Sequence, residues 1–138
     1  AVRAAAVLCY CSLQREKAIP RAQVLLEDLD KKVRAATVAG LIRYGGLDGV
    51  LTAADSLKEM LRSPSQKTRE YAAWTLGEVG VENFYQPLIP LLDDPSENVR
   101  TAAIEAAGRL KNHELIPKLV EQLDHVSRSI VGFLFGCT

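Results

Sequence analysis

The chain has 138 residues, 48% of them hydrophobic, and its 17 Lys and Arg balance 17 Asp and Glu. That composition is too apolar for a disordered chain, and zero net charge gives no bulk positive field to hold a nucleic-acid backbone. No apolar run reaches the roughly 20 residues that a bilayer-spanning helix needs, so neither a nucleic-acid partner nor membrane insertion is expected.

In chain order, VRAAAVLCYCSL at 2–13 is predicted as one helix, the inner helix of a first, partial repeat (1–15). It opens in mid-pattern, without a cap or an initiator Met, so the chain reads as a piece of a longer protein. The polar link QREK leads to Ile19-Pro20, where Pro fits a helix start because its missing N–H would be unpaired anyway. The second repeat (18–46) is then an outer helix at 19–28, a turn at 28–32, and an inner helix at 32–44 stopped by Gly45-Gly46. The third (49–81) has a longer outer helix at 49–62, the turn Ser63-Pro64-Ser65, and an inner helix at 67–79 ended by Gly80. In the fourth (83–111), Asn83 is expected to cap an outer helix at 84–92. Pro90 is expected to kink that helix, and the inner helix follows at 98–110. The remainder (112–138) is irregular. Asn112 can cap a helix through Gln122, and Pro117 sits where Pro90 does. Arg128 would continue the arginine series, and the apolar tail SIVGFLFGCT is expected to be covered by further chain or to serve as a contact surface.

Three columns recur when the copies are aligned. One is small: Ala36-Thr37, Tyr71-Ala72 and Ala102-Ala103, which lets helices approach closely. One is apolar at helical spacing: Val33, Leu41 and Tyr44, then Leu76 and Val79. The third is polar. Arg3, Arg34, Arg69 and Arg100 stand 31, 35 and 31 residues apart, and Asp28, Ser63 and Asp94 each precede an arginine by six. A period in this range points to a helical-repeat array. Asp28, Arg34, Arg69, Asp94 and Arg100 are expected to form a structural ladder of alternating Asp and Arg along one edge. A row of arginines for anions is the sharper but less economical alternative.

The DxxxxxR turn, followed by AAWTLGEVG and related spacings, resembles the HEAT repeat family, including its PBS-lyase-type HEAT-like members. The best copies span 63–80 and 94–110, and the likeness weakens after Asn112. The resemblance implies an all-α fold, a right-handed α–α superhelix built as a solenoid of antiparallel helix pairs. Outer helices would be convex and inner helices concave. It also implies a scaffold for protein contacts, although a fold specifies function poorly.

Within the inner helices one column varies in size between copies: Leu8, Ala39, Trp74 and Glu105. Residues four before and after share its face. The stripes Ala4-Leu8-Ser12, Ala35-Ala39-Arg43, Glu70-Trp74-Glu78 and Thr101-Glu105-Arg109 are expected to tile a concave surface. The candidate binding residues are Leu8, Arg43, Glu70, Trp74, Glu78, Glu105 and Arg109. Trp74, the only tryptophan, would be an aromatic anchor between two carboxylates, suited to a basic peptide.

Catalytic readings find less support. His113-Glu114 matches one pair of the di-iron hydroxylase type of HEAT-like array, but His125 is not followed by Glu, and a dinuclear site needs more ligands. A DNA glycosylase-like reading of Tyr71 and Trp74 lacks the basic face. Gly45, Gly46 and Gly49 follow no strand, so they form no phosphate loop. No cofactor and no metal are expected. The three cysteines, Cys9, Cys11 and Cys137, are odd in number and lack metal spacing, which leans toward a cytoplasmic location. The leading reading is a non-catalytic protein-interaction or scaffold module. The alternative is part of a HEAT-like modifying enzyme, of lyase or hydroxylase type, with its catalytic residues mostly elsewhere. The two apolar, uncapped ends also invite self-association.

Overall fold

Three inner helices start in the same way. Each polar turn ends in a residue with extended backbone whose side-chain oxygen accepts an amide of the coming helix: Asp30 from Lys32 N, Ser65 from Thr68 N and Ser96 from Val99 N. This satisfies donors that the first helical turn would leave orphaned. The computed structural model describes residues 1–124; His125, Arg128, Cys137 and the apolar tail lie outside the described residues. Among these the helices are α1 (Val2–Gln14), α2 (Ile19–Ala22), α3 (Lys31–Tyr44), α4 (Gly46–Leu61), α5 (Gln66–Val79), α6 (Leu88–Leu92) and α7 (Glu97–Leu110). A further helical stretch covers 116–124.

The fold is all-α, a helical-repeat array in two layers. In the inner layer α1 packs on α3, α3 on α5 and α5 on α7; α2, α4 and α6 lie behind them. The core sits between the layers, with Val33, Leu41, Leu76, Leu88, Leu92 and Val99 essentially inaccessible to water. Small residues bring the inner helices close: Ala35, Ala36, Ala72, Ala73 and Ala103 are all fully buried. Thr75 Oγ1 reaches across from α5 to donate to Ala35 O at 3.3 Å. A close approach lies at Gly77, where a Cβ would stand 3.1 Å from Ala106 Cα and 3.2 Å from Ala106 Cβ. Gly77→Val is therefore expected to push α7 away from α5 and destabilise the protein by about 2 kcal/mol, read as a lower urea midpoint. An unchanged midpoint would mean that this contact is slack.

The outer layer departs from the sequence expectation. The helix expected at 19–28 is only the single turn α2 between 3-10 turns at Arg15–Ala18 and Gln23–Glu27. So short a segment gains little from helix propagation, and it lies on the core through Ala18 and Ala22. The longer outer helix begins at Gly46 rather than 49, because Gly45 both ends α3 and precedes α4. Gly46 turns the chain with φ of 63°, a conformation that favours glycine. The repeat boundary at 46–49 is therefore a corner with no linker.

The helix expected at 84–92 starts only at Leu88, and Asn83 does not cap it; Pro87 takes the capping position. A helix begun at 84 would place Pro90 in its interior, where it lacks an amide and its ring clashes with the preceding turn. Starting at Leu88 puts Pro90 in the first turn, where no amide bond is owed. The expected kink is thus replaced by a late start. Asn112 does cap: its Oδ1 accepts Glu114 N at 2.8 Å, and its Nδ2 donates to Glu82 O at 3.0 Å.

Candidate binding groove and the arginine edge

The polar column forms an edge along the array, on which arginines and aspartates of successive repeats alternate. Arg3 from α1 grips the Asp28 carboxylate with two nitrogens, Nη1 to Oδ1 at 3.1 Å and Nη2 to Oδ2. Arg69 from α5 grips Asp94 in the same way, Nε to Oδ2 at 2.8 Å and Nη2 to Oδ1 at 3.2 Å. Each arginine therefore holds the carboxylate of the next turn, 25 residues on. Toward its own turn it donates to backbone carbonyls. Arg69 reaches Ser63 O at 2.9 Å, Arg100 reaches Asp94 O at 2.8 Å, and Arg34 reaches Asp28 O. The carboxylates also fold the turns: Asp28 Oδ1 accepts Asp30 N, and Asp94 Oδ1 accepts Ser96 N, both at 2.9 Å. Burial alone would push the Asp94 carboxyl up, but the Arg69 guanidinium, the Ser96 amide and the Arg100 charge together hold it below the usual carboxylate range. With Arg3 and Arg69 committed to carboxylates, the edge ties repeats together.

On the inner-layer face, away from α4 and α6, a groove of about 210 Å³ opens across α3, α5 and α7. Ala102 and Ala106 of α7 line it alongside Tyr71 and Trp74 of α5, with Lys32, Glu70, Glu105 and Arg109 completing the lining. Both aromatic rings are half-buried and packed against the core. Glu70 accepts from Lys67 Nζ at 3.0 Å and Gln66 Nε2 at 3.3 Å. Glu78 Oε1 accepts from Arg109 Nη1 at 2.6 Å. Arg43 donates to Glu78 O at 3.1 Å and lies over the Tyr44 ring. Glu105 is exposed and carries no hydrogen-bond or ion-pair partner among the described residues.

Of the residues singled out from sequence, Glu70, Trp74, Glu105 and Arg109 meet in this groove; Glu78 joins it through Arg109, and Arg43 through the Glu78 carbonyl. Leu8 does not. It is half-buried on α1, where its Cδ2 would lie 3.8 Å from a Cβ at Gly40. The alanines of the stripes on α1 and α3 are not surface either: Ala4, Ala35 and Ala39 are buried. An alanine on a helix flanked on both sides is covered by its neighbours, whereas Trp74 and Glu105 are long enough to emerge. Sequence reading missed Lys32, which falls at the end of the turn at 28–32, and Tyr71, which falls in the column of small residues. Tyr71 lies three residues before Trp74 on one helix face, and that spacing was a usable signal. His113 and Glu114 are both exposed, and no cluster of three or more metal-ligating side chains exists among the described residues.

The HEAT repeats family model matches residues 54–131, more than half of the chain. The chain belongs to the HEAT repeat family. This agrees with the paired helices, the arginine–aspartate edge and the tight inner-layer packing. HEAT repeats commonly carry protein–protein contacts, and in this HEAT array the groove lies on the inner-helix face. None of the curated proteins matches the chain by sequence. Among the described residues no helix is long and apolar enough to cross a membrane.

Proposed function

We propose that the chain is a non-catalytic protein-interaction module whose inner-face groove takes an extended peptide carrying a Lys or Arg side chain. The observation that carries this reading is the half-exposed Trp74 beside the unpartnered Glu105. A cation entering between them would meet the face of an indole and a carboxylate together. Glu70 and Glu78 contribute less, because Lys67 and Arg109 already neutralise them. Lys32 and Arg109 discriminate against a uniformly basic segment, so the preferred peptide has one basic residue flanked by apolar or acidic ones. A groove of this size holds a side chain or two rather than a drug-sized substrate. The location expected for such a module is the cytoplasm, where Cys9 and Cys11 stay as thiols.

The test is a peptide array that varies the residues around a central Lys or Arg, followed by titration of the best binders. Trp74 is the sole tryptophan, so its fluorescence reports occupancy directly. Trp74→Ala is expected to weaken binding at least 10-fold, about 1.4 kcal/mol or more. Glu105→Lys is expected to weaken it less and to reduce its salt dependence. Equal binding by Trp74→Ala, at unchanged helicity and melting, would sink the groove as the site.

A further inference from the structure

The arginine edge has one gap. Six residues before Arg34 and Arg100 stand Asp28 and Asp94, and each carboxylate is gripped by the arginine 25 residues before it. In the turn between α4 and α5 that position is Ser63. The local fold is the same: Ser63 Oγ accepts Ser65 N at 3.2 Å, just as the aspartates accept the amide two residues on. The arginine is also present, because Arg34 occupies on α3 the place that Arg3 and Arg69 occupy on α1 and α5. It donates backward to Asp28 O as Arg69 and Arg100 do to their own turns, yet grips no carboxylate ahead of it. A cavity of about 280 Å³ remains there, lined by Arg34, Ser63, Thr68 and Ser56, with Glu27 and Glu59 also on its wall. At this edge of the junction Lys31 Nζ donates to Ser65 Oγ at 3.0 Å, a bridge without a carboxylate.

We propose that Ser63 is a phosphoacceptor whose phosphate fills this cavity and completes the edge by pairing with Arg34. The hydroxyl lies in a turn outside the helices and is half-buried, not sealed. Pro64 follows it directly, which suits a proline-directed protein kinase. In the transfer, Ser63 Oγ forms a bond to the γ-phosphorus of a nucleoside triphosphate as the β–γ bridging P–O bond breaks. The hydroxyl proton passes to the kinase's base and the nucleoside diphosphate leaves. The product supplies what the aspartates supply, an anion with several acceptor oxygens for a forked guanidinium. It also sits just before the N-terminus of α5, where negative charge is favoured. Glu27 and Glu59 are exposed, so water and salt screen their repulsion. Modification would stiffen the junction between the second and third repeats, which now lacks the clamp that its neighbours have.

Two measurements decide it. The full chain is incubated with a panel of proline-directed kinases and ATP, and the phosphate is mapped by mass spectrometry. Modification at Ser63 is expected, and a chain left unmodified there overturns the proposal. The chain carrying phosphoserine at 63, made by site-directed incorporation, is then melted beside the unmodified chain, in both the native and the Arg34→Gln backgrounds. The phosphate is expected to raise Tm by about 5 °C with Arg34 present and by little or nothing with Arg34→Gln. Because each shift is read within one background, any loss from Arg34→Gln itself cancels. A shift that is absent, negative or equal in the two backgrounds overturns the pairing.

Discussion

Asp94→Ala is expected to destabilise the protein by about 3 kcal/mol, one of the two largest effects of any single substitution considered for this chain. The carboxylate is only 7% exposed, and the Arg69 side chain that grips it only 17%. Removing it leaves a largely buried guanidinium without its counter-ion and the Ser96 amide without its acceptor. The loss therefore includes the cost of desolvated groups left unpaired, beyond the pair's own attraction. Asp28→Ala is the control on the same edge. Its partner Arg3 is 61% exposed, so water replaces much of the lost contact and the loss should be clearly smaller than at Asp94. Equal losses at the two positions would contradict the burial argument. The pH dependence has a definite sign. The Asp94 carboxyl is held below its ordinary value of 3.8 in the folded protein, so the unfolded chain takes up its proton first as pH falls. Its contribution is fully present above that ordinary value and is lost as pH drops through the lower folded value. Urea melts at pH 7 and near pH 2 should thus show the gap between the native chain and Asp94→Ala narrowing in acid.

The inner layer was legible because several local signals coincide there. A short acceptor sits before α3, α5 and α7, an arginine follows six residues after Asp28, Ser63 and Asp94, and alanine and glycine mark the close contacts. Local and tertiary preference agree, and such segments read correctly. In the outer layer they conflict. Residues 84–92 look helical by hydrophobic spacing, yet Pro90 moves the start to Leu88. At 19–28 the pattern is apolar enough for a helix, but the segment is too short to stay regular between its turns. The arginine edge was legible as a column of alternating Asp and Arg, but the column alone did not say which partners meet; stacking brings Asp28 to Arg3 and Asp94 to Arg69. Adjacency across repeats is set by the packing of α1 on α3, which no local spacing encodes. The candidate groove was half legible for a similar reason. Its α5 and α7 residues project far enough to keep their surface position, while the alanines at the equivalent places on α3 vanish beneath their neighbours.

Leu76→Ala is expected to cost about 3 to 4 kcal/mol and to change how the chain unfolds as well as when. Leu76 is completely buried on α5, which touches α3 and α7 on either side and α4 and α6 behind. The neighbours that would have to collapse into the vacated space are fixed by their own contacts: α3 by Thr75 and α7 by Gly77. The cavity should therefore persist, placing the cost toward the upper part of the usual range. In an array whose repeats contact mainly their neighbours, stability is a sum of unit and interface contributions, and α5 carries an interface on each side. Weakening it lowers the coupling between the α1–α3 and α7 parts, so the urea transition should broaden as well as shift. Val7→Ala is the comparison, since Val7 is 8% exposed on α1, at the end of the inner row. Its loss should be smaller and confined to α1. Hydrogen exchange separates the two cases: faster exchange along α3, α5 and α7 for Leu76→Ala, and along α1 alone for Val7→Ala. If Leu76→Ala instead raised exchange only within α5, the repeats would be energetically independent, and a clamp at the α3–α5 junction could not transmit stiffness along the array.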